Sequence, residues 1–132
     1  MKLRDQMSSC PCGSGESLDS CCGAFLAGAV PAPTAEALMR SRYVAYALEL
    51  APYLLATWHA STRPASLSLE TEPRPRWIGL AIQRHESQGE DQATVEFVAR
   101  YRIVGRAHRM HETSRFVRED GRWFYVDGDI TE

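Results

Sequence analysis

The sequence predicts an α+β fold, helices first and sheet after, with a small cysteine-rich segment ahead of both. Three observations predict it. Apolar residues recur at helical spacing between positions 35 and 58, then at a period of two from Trp77 onward. All four cysteines lie between positions 10 and 22. At 132 residues the chain has room for one domain with a real core and a small appendage, not for two full domains.

Residues 8–30 read as the appendage. Small residues, Gly and Pro dominate Ser8-Ser9-Cys10-Pro11-Cys12-Gly13-Ser14-Gly15 and the stretch after Cys21-Cys22-Gly23. Residues 34–130 read as the domain behind it. Thr34 suits an N-cap, and Ala35 to about Leu50 follows as a helix with Leu38, Arg42, Ala45, Tyr46 and Glu49 near one largely apolar face and Met39, Tyr43 and Leu50 beside it. Pro52 suits the first turn of a shorter helix through about Trp58. Pro64 is expected to open a third over Ala65–Leu69, before Pro73 and Pro75 break the pattern.

The period then becomes two. Trp77, Gly79, Ala81 and Gln83 alternate with Ile78, Leu80, Ile82 and Arg84. Val95, Phe97, Ala99, Tyr101 and Ile103 share a face in the next strand. His108, Met110, Glu112, Ser114 and Phe116 share one in the third, and Trp123–Asp127 forms the last. Turn signals at Gln88-Gly89-Glu90-Asp91, Gly105 and Glu119-Asp120-Gly121 favour an antiparallel meander.

Composition narrows the function classes. Hydrophobic residues make up 44% and charged residues 24%, as in a folded soluble domain. No apolar run approaches the ~18–20 residues of a membrane span, so no membrane insertion is expected. Met1–Met7 lacks the apolar stretch of a secretory signal, which points to the cytoplasm. A formal net charge of -2 argues against electrostatic capture of nucleic acid, and Arg100, Arg102, Arg106 and Arg109 read as a solvated strand face. P-loop, dinucleotide and nucleophile-elbow patterns are absent.

The cysteines carry the strongest signal. Cys10-x-Cys12, eight residues and Cys21-Cys22 offer four thiolates, the set a structural zinc ion takes. Such a cluster without an export signal reads better as a metal site than as a disulfide framework; a redox pair or free thiols is the other reading. Iron would accept the same sulfurs. Gly13 and Gly15 allow positive φ between the two cysteine pairs. A closed four-sulfur shell leaves no position for water, so hydrolysis is not expected there.

Cys10-Pro11-Cys12-Gly13-Ser14-Gly15 with Cys21-Cys22-Gly23 resembles the SEC-C motif, named for the zinc-binding tail of the SecA translocation ATPase. Leu38–Tyr43, Tyr53–His59, Phe97–Arg100, His111–Phe116 and Gly121–Gly128 resemble the YchJ family of uncharacterised bacterial proteins. The resemblance implies a fold like that of nuclear transport factor 2, a curved antiparallel sheet around helices with a conical cavity. Many family members carry a second SEC-C motif at the C-terminus, whereas no cysteine follows Cys22 here. The tail of the ATPase contacts an export chaperone and ribosomes. By that resemblance the expected role is a zinc-binding, non-catalytic adaptor with a protein partner in translation or export. Proteins of this fold often pair through the sheet, which leaves a homodimer open.

The rival role is an enzyme or small-molecule binder using a cavity around Glu112. Glu112 shares a strand face with Met110, Ser114 and Phe116, and a carboxylate there must be paired. Arg40, Arg42 and Arg100 are the candidate partners. The simpler reading is a structural Glu–Arg pair; the functional one is proton transfer with His108 or His111. No two of the four histidines have metal-ligand spacing. His59 reads as a helix C-terminal interaction, and His85 as solvated. Trp58, Trp77, Trp123 and Tyr125 are expected in the core.

Overall fold

The computed structural model describes residues 9–28, 30–69 and 72–131. The leader reading of residues 1–7 lies outside them, as do Ser8 and Ala29 of the appendage. Among the described residues three helices precede four strands: α1 (Gly23–Leu26), α2 (Ala35–Ala47), α3 (Ala51–Ala56), β1 (Arg76–Ser87), β2 (Gln92–Ile103), β3 (Arg106–Glu119) and β4 (Arg122–Thr131). The sheet is an antiparallel meander in the order β1-β2-β3-β4.

Helix α2 starts where its cap says. The Thr34 hydroxyl accepts from the Ala37 N–H at 3.0 Å, and Glu36 sits in the positive first turn. It ends before the expected Leu50. Glu49 adopts φ 60, so its N–H reaches the Tyr46 carbonyl at 3.3 Å and the Leu50 N–H reaches Ala45 at 2.8 Å. That pair of bonds closes a helix end that usually places Gly at the left-handed position. Leu38, Met39, Ser41, Arg42, Tyr43, Val44 and Ala45 are all buried, so α2 is covered on more than one side. Pro52 opens α3 as expected. The Tyr53 hydroxyl and the Ser41 hydroxyl, 2.7 Å apart, join the two helices.

The helix expected over Ala65–Leu69 does not form. Five residues cannot repay helix nucleation alone, and none of them is buried.

On the sheet's inner face Val95, Phe97, Ala99 and Phe116 pack against Leu38, Met39, Tyr43 and Val44. The strict alternation expected along β1 is broken. Trp77 pairs with Tyr101 but Leu80 with Ala99, because Ile78 is an extra residue in the strand. The bulge moves Trp77 onto the face of Leu80 and Ile82 and leaves Ile78 half-exposed. A second irregularity lies between Ile82 and Arg84, and a third between Arg115 and Phe116 of β3. After α3 the chain runs along β4: the His59 N–H bonds the Tyr125 carbonyl at 2.7 Å, and the Tyr125 N–H bonds Thr57 at 2.9 Å.

Two hairpins close on two-residue turns, Val104-Gly105 and Asp120-Gly121, with φ positive at both positions of each (48 and 79, 53 and 77). Asp-Gly is a favoured pair for this turn; Val-Gly is not, since a β-branched side chain crowds the backbone at positive φ. Val104 is 84% exposed and gains no packing in return. Val104→Asn is therefore expected to stabilise the fold by about 1 kcal/mol. Urea unfolding checks it; an unchanged or lower midpoint rejects strain at this turn.

Candidate functional site

The cysteine cluster is built by a short loop folded back on itself. The Cys10 N–H bonds the Glu16 carbonyl at 2.7 Å, the Gly13 N–H returns to Cys10 at 3.1 Å, and the Cys21 N–H bonds Leu18 at 3.1 Å. Gly13 and Gly15 take φ 86 and 89, as the sequence reading requires. All four cysteines are free, and their Sγ atoms lie within 4.8 Å of one another. Cys12 and Cys21 are 3.6 Å apart, Cys21 and Cys22 3.9 Å. A tetrahedron of sulfurs ~2.3 Å from a zinc ion has edges of ~3.8 Å, so the donor set fits such an ion.

Three of the four sulfurs are sealed: Cys10, Cys12 and Cys22 belong to the same buried cluster as Leu38, Met39, Tyr43 and Phe97. Only Cys21 is part-exposed, and the Ser14 hydroxyl donates to its sulfur at 3.1 Å. A hydrogen bond with the Cys22 side chain holds the Cys12 thiol well below its ordinary value against the effect of burial. The same bond, with burial, pushes Cys22 up, and burial pushes Cys10 up.

Arg40 backs the cluster at Cys12. Its Nη1 donates to the Cys12 carbonyl at 3.0 Å and stands 3.9 Å from the Cys12 sulfur, while its Nε bonds Glu36 at 3.0 Å. This corrects the expectation that Arg40 lines a cavity with Glu112. Two helical residues are ~200° apart around the axis, so Arg40 and Arg42 leave α2 on different sides. Arg100 is corrected too. It is exposed on the outer face of β2, opposite Gly79 and Arg109, because its neighbour Ala99 takes the inner face.

The cavity lies between α2 and the inner face of the sheet. It encloses about 240 Å³, and Arg42, Glu112 and Ser114 line it. The Ser114 hydroxyl donates to Glu112 Oε2 at 2.7 Å, and the Tyr125 hydroxyl donates to the same oxygen at 3.4 Å. Among the described residues no arginine forms an ion pair with Glu112, so the expected Glu–Arg pair is replaced by two hydroxyl donors. Arg42 is spent elsewhere. Its Nη1 donates to the Leu54 carbonyl at 2.8 Å and to Thr57 Oγ1 at 2.7 Å. Its guanidinium carbon lies 5.1 Å from the Trp58 ring centroid and 4.6 Å from that of Tyr125. Burial pushes the Tyr125 hydroxyl well up, and the Glu112 charge adds to it.

Neither histidine proposed for proton transfer lines the cavity. His108 stacks on Tyr101 at 5.3 Å, and His111 bonds Glu96 at 2.6 Å. His59 bonds Glu119 at 2.8 Å, and His85 lies 3.6 Å from Glu36. Sequence reasoning missed Tyr46 as a cavity residue and Gly128 beneath Glu112. Gly128 pairs with Ser114 across the sheet, and a Cβ there would stand 2.9 Å from the Glu112 Cδ.

Comparison with known proteins places this geometry. Residues 34–128 match the family model described as the YchJ middle NTF2-like domain. The chain belongs to the YchJ family. A UPF0225 protein of Chromobacterium violaceum is 59% identical over 133 residues, covering 97% of this chain and 98% of that one. One of Methylibium petroleiphilum is 57% identical over 124 residues, covering 92% and 88%. The solution structure of a SEC-C motif containing protein from Rhodopseudomonas palustris superposes with a TM-score of 0.82 at 35% identity, covering 93% of this chain and 98% of that one. The crystal structure of another, from Psychrobacter arcticus, superposes with a TM-score of 0.80 at 24% identity, covering 98% and 86%, and supports the fold. The YchJ domain is thus an NTF2-like α+β fold with a metal-binding cysteine cluster at its N-terminal end. Among the described residues no helix is long and apolar enough to cross a membrane.

If Arg40 supports the cluster, Arg40→Gln should weaken metal binding by roughly ten-fold, in the range typical of groups that buttress metal ligands. Competition against a chromophoric chelator measures it, and wild-type affinity in the variant would remove Arg40 from the site. The metal-loaded protein should hydrolyse neither esters nor phosphate esters, since four sulfurs saturate the ion. Hydrolysis lost on chelation and restored by zinc would refute that.

Proposed function

We propose that the protein binds zinc through Cys10, Cys12, Cys21 and Cys22 and acts as a non-catalytic adaptor in the bacterial cytoplasm, presenting its SEC-C-like knuckle to a protein partner of translation or export. The observation that carries this reading is the closed set of four sulfurs within 4.8 Å, three of them buried. Such a site organises a chain rather than opening a coordination position to a substrate. The likeness to a SEC-C motif containing protein at 35% identity supports it.

Energetics give the metal its task. Within residues 10–22 only Leu18 is a large apolar side chain, supplying about 1.5–3 kcal/mol on burial. Ordering the backbone costs roughly 1–2 kcal/mol per residue. Zinc ligation, on the order of 10 kcal/mol or more, is the largest single contribution against that cost. What the ordered loop then offers is polar: Ser14, Glu16, Asp19 and Ser20 are exposed around the sealed cysteines.

Removing the metal at neutral pH should speed amide exchange up to about residue 30 and leave the sheet protected. Unfolding of the whole chain on chelation would make the knuckle a keystone of the domain and undercut the adaptor role. Capture from a bacterial lysate should return a translation or export protein with wild type and lose it with Cys21→Ser, Cys22→Ser. A partner retained equally by both would refute recognition through the knuckle.

A further inference from the structure

We propose that the cavity between α2 and the sheet is a binding site for a small neutral molecule with an apolar, single-ring-sized body and one hydrogen-bond donor, which Glu112 accepts. Its walls are apolar and aromatic, with Met39, Tyr43, Trp77, Phe97, Met110 and Phe116 around the space. At about 240 Å³ it falls just below the ~300 Å³ where ligand pockets begin, which sets the size of the guest.

Glu112 supplies the polar anchor. Only 9% of it is exposed, and both neighbouring hydroxyls converge on Oε2. No hydrogen bond from the described residues reaches Oε1. Oε1 is open to the cavity rather than sealed, so a donor on a guest satisfies it. Gly128 keeps the arrangement open. Because it has no Cβ, the Glu112 carboxylate lies against β4 instead of filling the cavity.

Charge selects a neutral guest. The buried Arg42 guanidinium, committed to Leu54, Thr57 and two rings, already offsets Glu112. An added cation would leave a net positive charge in an apolar enclosure, and an added anion would face Glu112 itself.

The test is a titration of the full-length protein with three probes of similar size: para-ethylphenol, para-ethyltoluene and phenethylamine. The methyl resonances of Met39 and Met110 are followed by NMR. The phenol should saturate and shift both methyls. The toluene, lacking the donor, and the cationic amine should each bind at least ten-fold more weakly. Glu112→Gln should weaken the phenol by about ten-fold, as a charge-assisted hydrogen bond becomes a neutral one, and leave the toluene unchanged. An unfolded variant cannot give that selective loss. Absence of saturable shifts with all three probes would overturn the site. Amine binding tighter than phenol would overturn the neutral guest, and equal loss of phenol and toluene in the variant would overturn Glu112 as the anchor.

Discussion

One buried cation holds the helical layer to the sheet. Arg42 is 5% exposed, and burial pulls its pKa down, yet a guanidinium stays charged even so. Its surroundings are arranged for that charge. Leu54 lends a carbonyl from the last turn of α3, where helix carbonyls lack partners and the dipole is negative. Thr57 adds a hydroxyl, and Trp58 and Tyr125 offer ring faces. Among the described residues the Trp58 indole N–H finds no acceptor, so this ring serves by its face at the expense of its polar edge. Tyr125 then passes the connection to Glu112. Helix α2, the end of α3, strand β4 and the cavity floor therefore meet at one side chain.

The two chemical centres sit on the two sides of α2. Arg40 serves the cysteine cluster and Arg42 the interior, two residues and just over half a turn apart. The cluster is not a loose appendage, since Cys12 and Cys22 are as deeply buried as Val44 or Val95. The helix that carries the core also backs the metal-binding loop, and the loop in turn covers part of that helix.

The fold was legible where local chemistry is decisive. Thr34, Pro52, the period-two runs of β2 and β3 and Asp120-Gly121 each act through their own neighbours, and each appears where its chemistry directs. The cysteine spacing was legible for the same reason. What escaped depended on distant partners. The Ile78 bulge exists because of how β1 meets β2, and no alternation within β1 reveals it. The end of α2 rests on Glu49 at positive φ, a conformation its residue type does not advertise. For the candidate site, period two placed Glu112 and Ser114 on the inner face and should have excluded Arg100. Which arginine serves which centre required the rotation of α2, and the Tyr125 hydroxyl became a donor to Glu112 only once β4 was laid beside β3.

The bulges of β1 also shape the free edge of the sheet. An edge strand with regular spacing offers a template for another strand, and such templates drive aggregation. Here β1 breaks its spacing at Ile78 and again before Arg84, and its outward residues include Arg76, Arg84 and Glu86. The opposite edge, β4, is occupied around Tyr125 by the segment that follows α3. With one edge out of register and the other partly taken, neither edge offers an uninterrupted template for another strand.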